Sequence, residues 1–81
     1  MEALPDLPDE LGVSVLNRLN LREREVLRML VGGLSNAAIA ERLSTTEQMI
    51  KNHVSHMLRK SQTYNRVGLA VFAVKHRMVI L

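Results

Sequence analysis

The sequence predicts an all-α fold: a four-helix bundle domain containing a helix-turn-helix, with room for an extra N-terminal helix. Three observations predict it. Apolar residues recur at three- and four-residue spacing along most of the chain, the rhythm of helices that bury one face. No pair of alternating, strand-like segments is present. The chain has one Tyr, one Phe and no Trp, so its core must be built from Leu, Val, Ile, Met and Ala, which suits helices. At 81 residues there is room for one domain, burying roughly 60% of its extended surface.

Residues 1–12 hold both prolines, four acids and Gly12, so residues 1–18 read as an arm or linker and residues 19–81 as the folded domain. Leu7, Leu11, Val15 and Leu19 nevertheless recur every four residues, which is compatible with a leading helix from about Pro8. Gly12 in its middle would weaken it by about 1 kcal/mol relative to Ala.

The first firm helix starts after Asn20, which with Glu23 has the spacing of a capping box. Val26, Leu27, Leu30 and Val31 line its inner face, and Gly32-Gly33 stops it. Ser35 is placed to cap a second helix over about 36–43, with Ile39, Ala40 and Leu43 inward. Ser44 or Thr46 stands where it would cap a third, over about 47–60, with Ile50, Val54, Met57 and Leu58 inward. A fourth begins after Ser61-Gln62-Thr63-Tyr64 with Asn65 as cap and runs to about Arg77. The apolar tail Met78-Val79-Ile80-Leu81 is expected to fold back onto the bundle.

Charge is unevenly spread. The net is +3, but Glu2, Asp6, Asp9 and Glu10 lie in the first ten residues, and residues 11–81 carry 11 basic against 4 acidic side chains. No acidic side chain follows Glu47, whereas Lys51, Arg59, Lys60, Arg66, Lys75 and Arg77 do. Such a half is either a solvated basic surface or one that faces phosphates, and its coincidence with a helix-turn-helix favours the second. The absence of cysteine excludes disulfides and thiolate metal sites. No apolar run approaches the ~20 residues needed to span a bilayer, and the acidic start is unlike a signal peptide. A cytoplasmic protein without a membrane partner is expected.

Two short amphipathic helices joined by a few polar residues form a helix-turn-helix, whose second helix is presented to a DNA major groove. With Ile50, Val54, Met57 and Leu58 inward, the opposite side of that helix carries Gln48, Lys51, Asn52, Ser55 and Arg59. Lys donates to guanine O6 and N7, Asn pairs bidentately with adenine, and Ser serves either. Gln48, Lys51, Asn52 and Ser55 are therefore the candidate base contacts. Phosphate contacts are expected from Arg59 and Lys60 near the helix end, and from Ser35, Asn36 and Thr46. The helix dipole alone would also favour cations at Arg59 and Lys60. Among Arg22, Arg24 and Arg28 the acids Glu23 and Glu25 intervene, and an internal pair such as Glu25 with Arg66 accounts for them equally well.

Several of these segments together resemble the LuxR/NarL-type (GerE-like) DNA-binding domain of bacterial transcriptional regulators. They are Leu21-Arg22-Glu23-Arg24-Glu25-Val26-Leu27, Gly33-Leu34-Ser35-Asn36, Ile39-Ala40-Glu41-Arg42-Leu43, Ile50-Lys51-Asn52-His53-Val54 and Arg59-Lys60, in the family's order and spacing over about residues 19–77. The resemblance implies a four-helix domain that binds operator DNA, usually as a dimer, with the positions of Lys51, Asn52 and Ser55 facing bases. It also implies a packing or phosphate-contacting role for His53. The chain departs from the family's pattern at four places. Thr45 stands where an aliphatic residue usually packs, Met49 replaces a Thr, Ser61-Gln62-Thr63 replaces a Leu-Gly-Val-like link, and Ala37 occupies a position often Lys or Glu. The first and third suggest a weaker core and the second an altered phosphate contact.

The last helix carries two apolar stripes, Leu69, Ala70 and Ala73 on one and Val67, Val71, Val74 and Met78 on the other. A second stripe must be buried against something. In the resembled family the last helix mediates dimerisation, which makes Val67, Val71 and Val74 the candidate homodimer interface. Coverage by the N-terminal arm or the C-terminal tail is the rival account. His53 and His56 are three apart on a helix, but with no cysteine and no carboxylate near them in the sequence no metal site is expected. No cofactor is expected, and no nucleophile has a base and an orienting acid in view, so no catalysis is expected either.

The leading expectation is a sequence-specific DNA-binding transcriptional regulator whose partner is double-stranded DNA. The alternative is a protein-interaction module of the same fold that antagonises related regulators by dimerising with them. A sigma-factor-like promoter element would share the helix-turn-helix but lacks a polymerase-binding region here. If the chain is part of something longer, an upstream receiver or ligand-binding domain would carry the signal.

Overall fold

The computed structural model of the chain describes residues 7–79. It contains α1 (Glu10–Leu16), α2 (Leu21–Val31), α3 (Asn36–Arg42), α4 (Glu47–Ser61) and α5 (Arg66–Lys75), with no strand among the described residues. The four expected helices are α2 to α5, and the extra N-terminal helix is α1.

Each helix starts at a polar residue whose side chain accepts the backbone N–H three residues on. Asp9 takes Gly12, Asn20 takes Glu23, Ser35 takes Ala38, Thr46 takes Met49 and Asn65 takes Gly68. Each such cap stabilises by about 1 kcal/mol. At Asn20 the box is complete, because its own N–H donates to Glu23 Oε1 at 3.2 Å. Thr46, not Ser44, caps α4.

Four helix ends share one solution. A residue in the left-handed region follows the helix, and the next N–H reaches back to the carbonyl five residues earlier. These bonds run from Leu34 to Met29, Thr45 to Ala40, Thr63 to Leu58 and Met78 to Ala73, at 2.7–3.1 Å. The left-handed residues are Gly33, Ser44, Gln62 and Arg77, with φ of 96°, 55°, 57° and 56°. Only the first is glycine.

This geometry corrects two expectations. The last helix ends at Lys75 rather than near Arg77, and the turn at Arg77 swings Met78 into the core instead of along the outer stripe. Val79 packs beside it, while Ile80 and Leu81 lie outside the described residues.

The core is aliphatic: Val26, Leu27, Ile39, Ile50, Met57, Leu69 and Ala73 are all but inaccessible. α4 crosses the middle, packed on α2, α3 and α5. Val15 of α1 and Leu19 join the same core, so the arm-or-linker segment expected over residues 1–18 contains a packed helix. Its residues 1–6 lie outside those described.

Gly12 is not simply a weak point of α1. It is buried, and a Cβ there would overlap the His76 carbonyl oxygen, so only glycine allows this approach of α1 to the end of α5. The expected Glu25–Arg66 pair does not form. Glu25 lies 3.7 Å from Arg22, and the Arg66 guanidinium donates to Asn36 Oδ1 and the Leu34 carbonyl, tying α5 to the start of α3.

The segment that departs from the family pattern after α4 is well satisfied. Ser61 is buried, its hydroxyl donates to the Met57 carbonyl at 2.7 Å, and Thr63 Oγ1 lies 2.8 Å away. A polar side chain thus fills the end of α4 without an orphaned group.

Candidate nucleic-acid interface

α3, the turn through residues 43–46, and α4 form the helix-turn-helix. Ile39 and Ala40 of α3 and Ile50, Val54 and Met57 of α4 are buried, which fixes the rotation of α4 about its axis. Leu58, also expected inward, is half-buried. The opposite face then carries Gln48, Lys51, Asn52, Ser55 and Arg59, all exposed. Gln48 Nε2 donates to Asn52 Oδ1 at 3.1 Å, one turn along the helix. Lys51 and Arg59 take part in none of the ion pairs formed among the described residues. Their charge is therefore not cancelled locally.

Ser35 and Thr46 stand at the starts of α3 and α4. Capping uses an acceptor lone pair of each hydroxyl and leaves its O–H to donate elsewhere. Asn36 is half-buried, and with Oδ1 taken by Arg66 its amide N–H group is what remains to offer. Met49, in the first turn of α4, is exposed and offers no hydroxyl.

Lys60 and His53 stand in a different environment from Lys51 and Arg59. Lys60 Nζ donates to Glu23 Oε1 at 3.1 Å and to the Arg18 carbonyl at 2.9 Å. His53 is largely covered, with Nδ1 3.8 Å from Glu23 Oε2 and no hydrogen-bond partner. His56 Nδ1 lies 3.3 Å from the same oxygen. Glu23, at 1% exposure, is therefore a buried carboxylate ringed by three basic side chains from one stripe of α4, at i, i+3 and i+7. Burial opposes its ionisation, but the Lys60 ammonium, the Asn20 N–H and His56 outweigh that and hold its carboxyl below the ordinary value.

From the sequence, Glu23 reads only as half of a capping box. The signal for its second role is the stripe His53, His56, Lys60, which needs a counter-charge on whatever α4 packs against. The expectation that no carboxylate is near the two histidines is thus corrected in space, because Glu23 comes from α2. Its Oε1 is already engaged by Lys60 and Asn20, and among the described residues no His/Asp/Glu group is arranged to hold a metal ion.

On α5, Leu69 and Ala73 are buried, whereas Val67, Val71 and Val74 are 72%, 59% and 42% exposed. Val71 and Val74 border a shallow apolar depression with Val31, Ala70 and the stem of Lys75. The described part of the N-terminal segment packs elsewhere. A groove between α1 and the far end of α4 is lined by Leu11, Val15, Lys60, Thr63 and Phe72, among others. No helix among the described residues is long and apolar enough to cross a membrane.

Residues 17–73, from just before the capping box to the buried face of α5, match the pattern of the family described as "Bacterial regulatory proteins, luxR family" (GerE). The chain belongs to this luxR family. It is similar to the nitrate/nitrite response regulator protein NarL of Escherichia coli (strain K12), with 43% identity over 63 residues that cover 78% of this chain and 29% of that protein. It is also similar to the transcriptional regulatory protein DegU of Brevibacillus brevis (39% identity, 79% of this chain and 27% of the relative). The uncharacterized transcriptional regulatory protein YhcZ of Bacillus subtilis (strain 168) is 39% identical over 75% of this chain and 28% of its own length. The chain thus spans less than a third of each of these relatives. Asp9, Gly12 and His76, which join α1 to the end of α5, fall outside the luxR-family match.

Proposed function

We propose that this chain is the DNA-binding domain of a bacterial transcriptional regulator, reading operator DNA through α4 and pairing through α5. The observation that carries the reading is the outer face of α4. There Gln48, Lys51, Asn52, Ser55 and Arg59 are exposed together, and neither Lys51 nor Arg59 enters an ion pair among the described residues, in a half of the chain with no acidic side chain after Glu47. In this reading those four side chains meet base edges, with Lys51 the foremost. Arg59, Ser35, Thr46, Asn36 and His53 supply phosphate contacts that set the register. Lys60 reaches a phosphate only by loosening its hold on Glu23, so its main part is to position α4.

NarL is by its name a response regulator. By analogy, signal input for this domain is assigned to a receiver or ligand-binding domain outside these residues. Val67, Val71 and Val74 would bury their exposed surface against a second copy, which places two recognition helices on one duplex about one helical turn apart.

The test is selection from a randomised duplex pool, with anisotropy binding across a salt series, for the chain and for Lys51→Ala. Affinity that falls steeply with salt, an enriched two-fold motif and its loss in the variant support the reading. Weak binding without enrichment, equal in both proteins, overturns it in favour of an interaction module that pairs with related regulators.

A further inference from the structure

We propose that His56 is a phosphate-binding residue whose ring takes up a proton from solvent when a DNA backbone phosphate approaches it. The inference rests on the DNA-binding reading of α4 and adds a residue that neither its base-contact nor its phosphate-contact set contains.

His56 projects from the outer part of α4, one turn from Asn52 and from Arg59 and Lys60, with 48% of its side chain exposed. It therefore borders the face assigned to DNA. Its Nδ1 lies 3.3 Å from Glu23 Oε2, a carboxylate that is itself buried and held ionised by Lys60 and the Asn20 N–H. A carboxylate only accepts hydrogen bonds, so this contact places a proton on Nδ1 of the ring. The neutral ring then carries its lone pair on Nε2, on the side away from Glu23. A phosphate also only accepts, and it cannot bind a bare Nε2. It binds once Nε2 takes a proton from water, which makes the ring a cation held between two anions, the fixed carboxylate and the incoming phosphodiester.

The charged groups around His56 come from two elements. Glu23 from α2 lies 3.3 Å from its Nδ1, and Lys60 and Arg59 stand one turn along its own helix. His53, the other imidazole on Glu23 Oε2, is far less exposed, and its Nδ1 is buried. With DNA the phosphate adds a second negative charge at the outer edge, and binding is linked to proton uptake. Affinity rises as pH falls.

The experiment measures the Kd of the full 81-residue chain for a fluorescein-labelled mixed-sequence duplex of about 20 base pairs, at fixed ionic strength from about pH 8 to about pH 6. Expected is a gain of about three- to tenfold per pH unit, the upper value being uptake of one full proton. His56→Gln should lose most of that slope, and His76→Gln, whose ring faces Asp9 and not Glu23, should keep it. For the unmutated chain at about pH 7, adding DNA should move the His56 Cε1–H resonance toward its protonated position, a readout independent of how a variant folds. A His56→Gln slope equal to that of the parent, or an unmoved resonance, overturns the proposal. Its failure is separable from that of the DNA reading. Salt-dependent binding that Lys51→Ala abolishes, with a flat pH profile, sinks only the histidine's role. Binding indifferent to Lys51 sinks both.

Discussion

Asp9 Oδ2 lies 2.7 Å from His76 Nδ1 across 67 residues of sequence, so the two ends of the described chain are latched together. The same carboxylate caps α1 through Gly12 N–H, and the Asp9 N–H donates to the His76 carbonyl. The His76 ring in turn rests 4.4 Å from that of Phe72. Both halves of the latch fall outside residues 17–73, so it is an addition to the shared luxR-type core.

The latch predicts an acid-sensitive α1. The bond from Gly12 N–H, then His76, lowers the Asp9 carboxyl below its ordinary 3.8. A carboxyl lowered in the folded state contributes stability above its unfolded value and loses it as pH falls through the folded one. Thermal unfolding followed by circular dichroism should therefore show Asp9→Asn less stable than the parent at neutral pH, with the gap closing below about pH 4. A gap that persists at low pH would place the contribution of Asp9 elsewhere than in its charge.

Gly12→Ala tests the close approach. In an ordinary helix interior the change stabilises by about 1 kcal/mol. Here the new methyl meets the His76 carbonyl, and α1 must shift, which costs on the order of 1–3 kcal/mol. Urea unfolding decides between the two signs.

Gln62→Gly should do the reverse. Gln62 closes α4 at φ 57° with a side chain that the left-handed region disfavours by roughly 1–2 kcal/mol. Glycine removes that strain but loses more freedom on folding, at about 0.4–1 kcal/mol. A net gain of up to about 1.5 kcal/mol in urea unfolding is expected. Gly33→Ala, at φ 96°, should lose stability in the same assay.

Glu23→Gln probes the junction between α2 and α4. It keeps the shape and the Asn20 partnership but removes the charge that Lys60 and the histidines face. Lys60 is partly exposed and recovers some hydration, so the loss should be about 1.5–3 kcal/mol, the scale of a hydrogen bond to a charged group. Because the Glu23 carboxyl is lowered, the parent should also weaken toward the variant as pH falls below about 4.5. Chemical denaturation at neutral and acid pH measures both.

The parts legible in the sequence are those governed by neighbours along the chain. The caps at Asn20, Ser35 and Asn65 are three-residue relationships, and the inner faces of α2 and α4 follow from helical period. The outer face of α4 followed too, since fixing Ile50, Val54 and Met57 inward leaves Lys51 and Asn52 outward. What stayed hidden depends on distant partners. Lys60 and Lys51 are both basic residues on one helix, and only the position of Glu23 on α2 separates them. Gly12 reads as a helix defect until the His76 carbonyl is seen against it. Met78 fits the outer stripe by period alone, and only the left-handed turn at Arg77 takes it inside.

Val71→Asp separates pairing from reading. Val71 is more than half exposed and borders the depression shared with Val31 and Val74, while the buried side of α5 is carried by Leu69 and Ala73. A carboxylate there stays hydrated in the isolated domain, so the fold should survive with a stability change within about 0.5 kcal/mol. In a dimer formed through this stripe the carboxylate would be pressed into an apolar contact and lose its water without a partner charge. On the proposed pairing, sedimentation should show the parent as a dimer and the variant as a monomer at the same concentration. Affinity for a two-half-site duplex should fall by about 10²–10⁴, the advantage that linking two binding events supplies, while affinity for a single half-site changes little. Equal loss on both duplexes would mean that α5 acts through the orientation of α4 and not through a second copy.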